Sequence, residues 1–229
     1  MKKNILITGA SGNLGKATTD RFLKDGYNVI ATVTPGRPLK YKPEGLQWYE
    51  ADLTDEKSVE GIVKQIIADH STLDAALLLV GGYAFGNIQN TDGAQIKKMI
   101  ELNFETAYYV ARPVFQHMLT QPKGGKIILV GSRPALVAKD GKNSLGYALS
   151  KSLIFKLADI LNAEGSSRNV TTCVVVPSII DTDENRKAMP DKDFTTWVKP
   201  EQIADAMAFL CSPEGEPLRD TVLKVYNRS

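Results

Sequence analysis

Cysteine, histidine and tryptophan are scarce in this chain, with two of each among 229 residues. Cys173, Cys211, His70 and His117 are scattered along the sequence. No Cys/His cluster has ligand spacing, so no metal site is expected. Two isolated cysteines fit a reducing setting. Cys173 lies in an apolar run and reads as a small buried hydrophobe. Long apolar runs are also lacking. The longest, Ala75–Val80 and Cys173–Val176 with its flanks, fall far short of the ~20 residues that span a bilayer. The stretch Ile5-Leu6-Ile7 after Lys2-Lys3 is too short for an export signal. Charge of one sign is absent as well, since 28 Lys+Arg face 26 Asp+Glu for a net +2. That balance gives no electrostatic case for a nucleic-acid partner. With 43% hydrophobic residues it also excludes a disordered polyelectrolyte. A cytoplasmic protein with no membrane partner is expected, built as a single domain over residues 1–229.

What is present is an alternation. Short apolar runs at Asn4–Thr8, Tyr27–Val33, Leu46–Ala51, Leu73–Val80, Lys126–Val130, Val170–Val176 and Thr221–Tyr226 read as strands. Between them, helical spacing appears at Asn13–Lys24, Asp55–Asp69, Ala94–Thr120, Ser144–Asn162 and Glu201–Leu210, the third with an expected break near Arg112-Pro113. Several strands are apolar throughout rather than alternating, which implies burial on both faces and a parallel sheet covered by helices. The fold class is therefore α/β, a doubly wound Rossmann-type domain with a seven-stranded parallel sheet. Thr34–Gly45 and Ser178–Lys199 look least ordered, and loops after strands are where such folds carry function.

The first strand runs into Thr8-Gly9-Ala10-Ser11-Gly12-Asn13-Leu14-Gly15, which opens the first helix. Glycines at 9, 12 and 15 allow a tight turn, close approach of the backbone to a pyrophosphate and close packing of helix on strand. The N–H groups of Ser11, Asn13 and Leu14 at the helix start favour negative phosphates. Strand before and helix after give this motif the context it needs. After the third strand, the carboxylate of Asp52, followed by Leu53, can accept from an adenine amino group, while Thr54 or Asp55 can cap the next helix. Val80-Gly81-Gly82 closes the fourth strand with residues small enough for a ring or ribose to approach.

Tyr147 and Lys151 stand four apart on a strongly periodic helix and share a face. A phenol titrates near pH 10, so it serves as an acid/base at neutral pH only when its surroundings favour ionisation, as a nearby ammonium can. Ser132 follows the fifth strand, where its hydroxyl can bond a substrate carbonyl. Tyr83 and Trp197 are candidate flat surfaces for a ring substrate, with packing in the fold as the equal alternative for each.

These residues carry a resemblance that runs from Thr8 through Tyr226. The chain resembles the short-chain dehydrogenase/reductase family in its glycine loop, Asp52-Leu53, Leu73-Asp74, Asn103, Ser132, Tyr147-x-x-x-Lys151 and Pro177-Ser178-Ile179-Ile180-Asp181-Thr182. The resemblance implies a nicotinamide-dependent oxidoreductase acting on a small carbonyl or alcohol. It implies Tyr147 as proton donor and acceptor, Lys151 lowering its pKa and holding the nicotinamide ribose, Ser132 polarising the carbonyl, Asn103 maintaining a water relay and Thr182 meeting the nicotinamide carboxamide. Pro177 and Ile180 complete the implied cofactor contacts. The family often packs its long helices into homodimers or homotetramers, and Phe104, Tyr108, Tyr109, Val110 and Phe115 give one of them a broad aromatic surface here. The chain departs from the usual pattern in its glycine spacing, in Gly81-Gly82 and in Ser178. Ser132 lies fifteen positions before Tyr147, which implies a small insertion. Residues 80–87 and 185–197 are similar to the quinonoid dihydropteridine reductase sub-branch. That sub-branch lacks the serine and asparagine supplied here by Ser132 and Asn103, so general carbonyl reduction is expected, with pterin reduction and cofactor sensing as alternatives. No acid follows the second strand at Val33-Thr34-Pro35-Gly36-Arg37, and Arg37 suits a 2′-phosphate, so NADP is favoured over NAD.

Overall fold

The computed structural model describes residues 2–39 and 43–229. Strands β1 (Asn4–Ile7), β2 (Asn28–Val33), β3 (Leu46–Glu50), β4 (Ala75–Leu78), β5 (Gly125–Val130), β6 (Val170–Pro177) and β7 (Val222–Val225) form one sheet in the order β3-β2-β1-β4-β5-β6-β7. Every neighbouring pair is parallel. All strand C-termini therefore lie at one edge, and the chain changes direction of winding between β1 and β4, the crevice where such sheets bind ligands.

The helices are α1 (Asn13–Lys24), α2 (Glu56–His70), α3 (Gly93–Ile100), α4 (Thr106–Thr120), α5 (Arg133–Leu136), α6 (Ala138–Gly141), α7 (Leu145–Gly165), α8 (Asp183–Ala188) and α9 (Pro200–Cys211). Side chains alternate between faces along each strand, so the sheet feeds two cores. Leu6, Ile127, Leu129 and Val174 pack with buried residues of α2, α4 and α7. Ile5, Ile7, Ile128 and Val175 pack on the other side with Phe22 of α1 and Ile203, Met207 and Leu210 of α9.

The seven expected strands are all present. The break in the long helix is not where proline suggested. α4 runs unbroken through Pro113, and the irregularity is a π-turn at Glu101–Glu105 between α3 and α4. Pro113 withdraws a donor from the Tyr109 carbonyl, but Tyr109 lies on a half-exposed side where water can replace it. Ser178–Lys199 is more ordered than expected. Thr182 caps α8 by accepting from the Asn185 N–H, a single 3₁₀ turn covers Phe194–Thr196, and Trp197 is 3% exposed. Trp197 therefore serves the core and offers no stacking surface. Part of the Thr34–Gly45 stretch, residues 40–42, lies outside the described residues. The segment between Ser132 and Tyr147 folds into α5 and α6, held by the Arg133 Nε to Asp140 Oδ2 ion pair at 2.7 Å.

Candidate active site

The loops after β1 through β6 meet at the C-terminal edge of the sheet. The first is the glycine loop. Gly9 has φ +68°, a left-handed conformation that costs a residue with a Cβ. A Cβ on Gly15 would collide with the Gly9 carbonyl, so α1 can start this close to β1 only with glycine there. Gly12 caps α1 without a side chain, and Ser11, Gly12 and Asn13 are exposed. The first N–H groups of a helix have no intrahelical acceptor, so α1 presents an uncapped, accessible N-terminus to the crevice. Such an end suits a pyrophosphate. Leu14 is half-buried against the core.

Of the helix-capping candidates foreseen for this turn, Asp55 is the one that takes the role. Asp55 caps α2 by accepting from the Lys57 N–H. Asp52 accepts from the Thr54 N–H at 3.0 Å and the Thr54 hydroxyl at 2.7 Å, and both bonds hold its carboxyl below the usual range. Leu53 is buried in the core. Arg37 is exposed on a turn closed by its own N–H donating to the Thr34 carbonyl at 2.9 Å. The same turn holds a carboxylate that the sequence hid. Glu50, opposite Val33 in the register, accepts from the Gly36 N–H at 3.1 Å.

After β4, the small residues make room for side chains of the protein itself. A Cβ on Gly81 would lie 2.7 Å from Asn103 Oδ1 and 3.1 Å from Lys151 Nζ, and one on Gly82 would lie 2.5 Å from Leu102. Val80 meets Gly9 from the opposite side, its Cγ2 3.0 Å from where a Cβ would stand. Asn103 sits in the π-turn and is fully buried. It accepts from the Gly82 N–H at 2.9 Å and donates to the Gly82 carbonyl at 3.0 Å and the Ser150 hydroxyl at 3.2 Å. Its amide is thus committed to the loop and to α7. Ser150 was not visible in the sequence as its partner.

Ser132, Tyr147 and Lys151 come together beyond β5. Lys151 is buried and donates to the Val130 carbonyl at 2.9 Å. Burial pushes its ammonium down to about 8. Burial also pushes the Tyr147 phenol up to about 12, with Ser132 pulling it down and Tyr83 pushing it further up. Burial, Ser132 and Tyr83 set the Tyr147 pKa in this arrangement, and Lys151 is not among its causes. Ser132 lies near Tyr147 yet closes no hydrogen bond of ordinary geometry. Its Oγ is buried and unpartnered among the described residues. A buried hydroxyl without a partner costs roughly 1–3 kcal/mol, so the site has a donor waiting for an acceptor. The last loop brings Pro177 at the end of β6, Ile180 bridged to Val198, and Thr182 at the start of α8. Asn13 donates to Glu184 Oε2 at 2.9 Å, so α8 reaches across to the glycine loop. No sequence signal marked Glu184.

The sequence pattern of the short chain dehydrogenase family matches residues 3–193. The chain belongs to that family of oxidoreductases. It is 28% identical over 222 residues to a cyclic-di-GMP-binding biofilm dispersal mediator protein of Escherichia coli (strain K12), covering 93% of this chain and 90% of the relative. It is 24% identical to dihydropteridine reductase of Dictyostelium discoideum, covering 100% and 96%. NADP-bound ElxO has the same fold, with a TM-score of 0.88 at 24% identity over 99% of this chain and 98% of that one. Among the described residues of this family member, no helix is long and apolar enough to cross a membrane, and no cluster of His, Cys, Asp and Glu is placed to hold a metal.

Proposed function

We propose that the chain reduces a small carbonyl substrate to an alcohol with a nicotinamide cofactor, with Tyr147 as acid. The carrying observation is the buried, unpartnered Ser132 hydroxyl beside a Tyr147 phenol that keeps its proton at neutral pH. When bound, the cofactor supplies the hydride to the carbonyl carbon. Ser132 donates a hydrogen bond to the carbonyl oxygen and Tyr147 gives that oxygen its proton, which completes the alcohol. Lys151 lies within reach of Gly81 and of a ribose on that loop, and Asn103 holds Gly82 in place. Gly9, Ser11, Gly12, Asn13 and Gly15 would carry the pyrophosphate.

Tyr147→Phe tests the reading. NADPH oxidation with an accepted carbonyl should fall at least 100-fold, the order expected for a general acid, while the thermal shift on adding NADPH persists. Near wild-type turnover would overturn it. Preference for NADP over NAD is supported by Arg37 and by the absence of a carboxylate in Val33-Thr34-Pro35-Gly36. The nearby Glu50 is engaged by Gly36.

Association into a homodimer or homotetramer is supported by Tyr108 on α4 and Leu149, Leu153 and Ile160 on α7, all substantially exposed. Val110 and Phe115, by contrast, are buried in the core. A monomer in sedimentation equilibrium would overturn the assembly. A sensor that only binds is the competing reading, and one relative carries a cyclic-di-GMP-binding name. It gains no support from the Ser132–Tyr147 pair, which a protein that only binds has no need of.

A further inference from the structure

We infer that Tyr83 and Phe85 form an aromatic wall that selects substrates bearing their carbonyl on a planar aromatic or heteroaromatic ring. The inference rests on the carbonyl-reductase reading above and assigns its substrate class. Tyr83 is 51% exposed and Phe85 71% exposed. Their rings meet edge-to-face with centroids 4.9 Å apart, and Tyr83 meets the Tyr147 ring in the same way at 4.9 Å. The wall is therefore continuous with the proposed acid. Exposed rings of this size clustered at a site mark a surface built to be covered.

The segment is held in shape without any ligand. The Gly86 N–H donates to the Asn143 carbonyl at 2.9 Å, and the Leu145 N–H donates to the Gly86 carbonyl at 2.7 Å. Gly86 thus docks the loop onto the start of α7, two residues before Tyr147. A Cβ on Gly86 would collide with Thr91 Oγ1, so glycine is required for this docking. Beyond it, the Asn87 N–H donates to Asn90 and the Gln89 N–H to Asn87. Rings fixed before binding lose little entropy when a substrate stacks on them.

Behind the wall lies a cavity of about 370 Å³, bounded by Tyr83, Phe85, Met99, Leu102 and Tyr147. That volume is at the small end of ligand pockets. Aromatic edges and a thioether suit a flat ring over a bulky saturated one. Lys98 at the rim adds a cation for a polar ring edge. Ser132 is not a wall of this cavity. The cavity takes the body of the substrate, and the carbonyl reaches past Tyr147 to Ser132.

The test compares 2-naphthaldehyde with decahydro-2-naphthaldehyde, the same carbon skeleton without planarity. Binding is read by calorimetry on the NADPH complex of the Tyr147→Phe variant, and turnover on the wild type. The planar aldehyde should bind at least ten-fold tighter. Phe85→Leu, which keeps apolar bulk at an exposed position, should cut that preference at least five-fold through KM. Equal binding of the two aldehydes overturns the inference. So does a Phe85→Leu change that alters the oligomeric state by sedimentation and leaves the preference intact, since the wall is then covered by a second copy. Selective binding of the planar aldehyde without wild-type turnover would leave the wall standing and sink the reductase reading instead.

Discussion

Asn103 and Gly82 hold each other twice, the side-chain amide accepting from one backbone group at 2.9 Å and donating to the other at 3.0 Å. A side chain that mimics a strand partner in this way fixes where the loop after β4 can go. Asn103→Ala removes both bonds and strands two backbone groups of Gly82 in a half-buried setting. A loss of about 2–4 kcal/mol is expected in urea unfolding of the cofactor-free protein. A change below about 0.5 kcal/mol would show that the pair does not support the loop.

Lys151 is a buried ammonium that donates, among the described residues, to the Val130 carbonyl. Its folded pKa, about 8, lies below the ordinary lysine value of 10.5. Below pH 8 both the folded and unfolded chains carry the proton, and the buried charge destabilises the fold in full. Between pH 8 and 10.5 the folded chain releases the proton first, so this contribution to stability rises with pH. Lys151→Met should therefore raise Tm at pH 7 by roughly 2–6 °C while turnover collapses. The gain over wild type should shrink as pH approaches 10. A destabilised Lys151→Met protein would contradict the assignment of burial as the cause of the low pKa.

Tyr147 works with the opposite sign. Its folded pKa of about 12 exceeds the ordinary value of 10.0. The unfolded chain ionises first, so the contribution is intact below pH 10 and is lost as pH rises from 10 towards 12. Wild type should lose stability across that window faster than Tyr147→Phe, measured by thermal unfolding at each pH. Parallel curves would contradict it.

Glu184 places a carboxylate at the N-terminal end of α1, on Asn13. Bonds from its own N–H, from Asn13 and from Thr182 keep it below the usual carboxylate range, so it is charged at neutral pH. A pyrophosphate bound at the same helix end would meet a like charge. Glu184→Gln should tighten NADPH about 2–5-fold at low ionic strength. The effect should fade in 0.5 M salt, where screening acts within a few ångströms. Unchanged or weaker binding, by fluorescence titration, would show that Glu184 moves away at no cost.

The turn bearing Arg37 also carries Glu50 on Gly36. Arg37→Ala should weaken NADPH about ten-fold and leave NADH unaltered, which a paired titration reads directly. Equal effects on both would remove the basis for an NADP preference.

The sheet was legible in the sequence because its strands are buried on both faces and read as uninterrupted apolar runs. The glycine loop was legible because Gly9 and Gly15 have steric duties no other residue can perform. Tyr147 and Lys151 could be placed on one face by helical period alone. What the sequence concealed were contacts between distant segments. Nothing local to Glu50, Ser150 or Glu184 announces Gly36, Asn103 or Asn13 as a partner. Pro113 did not break the helix as the sequence suggested, since α4 continues through it and the freed Tyr109 carbonyl lies on a half-exposed side. Trp197 stayed open between stacking surface and packing, because an aromatic ring in a polar segment shows which it is only once a core is built around it.

The π-turn at Glu101–Glu105 accommodates one residue more than an α-helical path would need. Its presence makes the chain intolerant of deletion here in a particular way. Dropping a single residue between 101 and 105 would let α3 and α4 fuse into one regular rod, locally more comfortable. Because the widened turn already absorbs the extra residue, the helices on either side would keep their register, and the change would fall on the turn itself. The amide now inserted beneath the fourth strand would leave its socket, and the protein would become a better helix around a worse cleft.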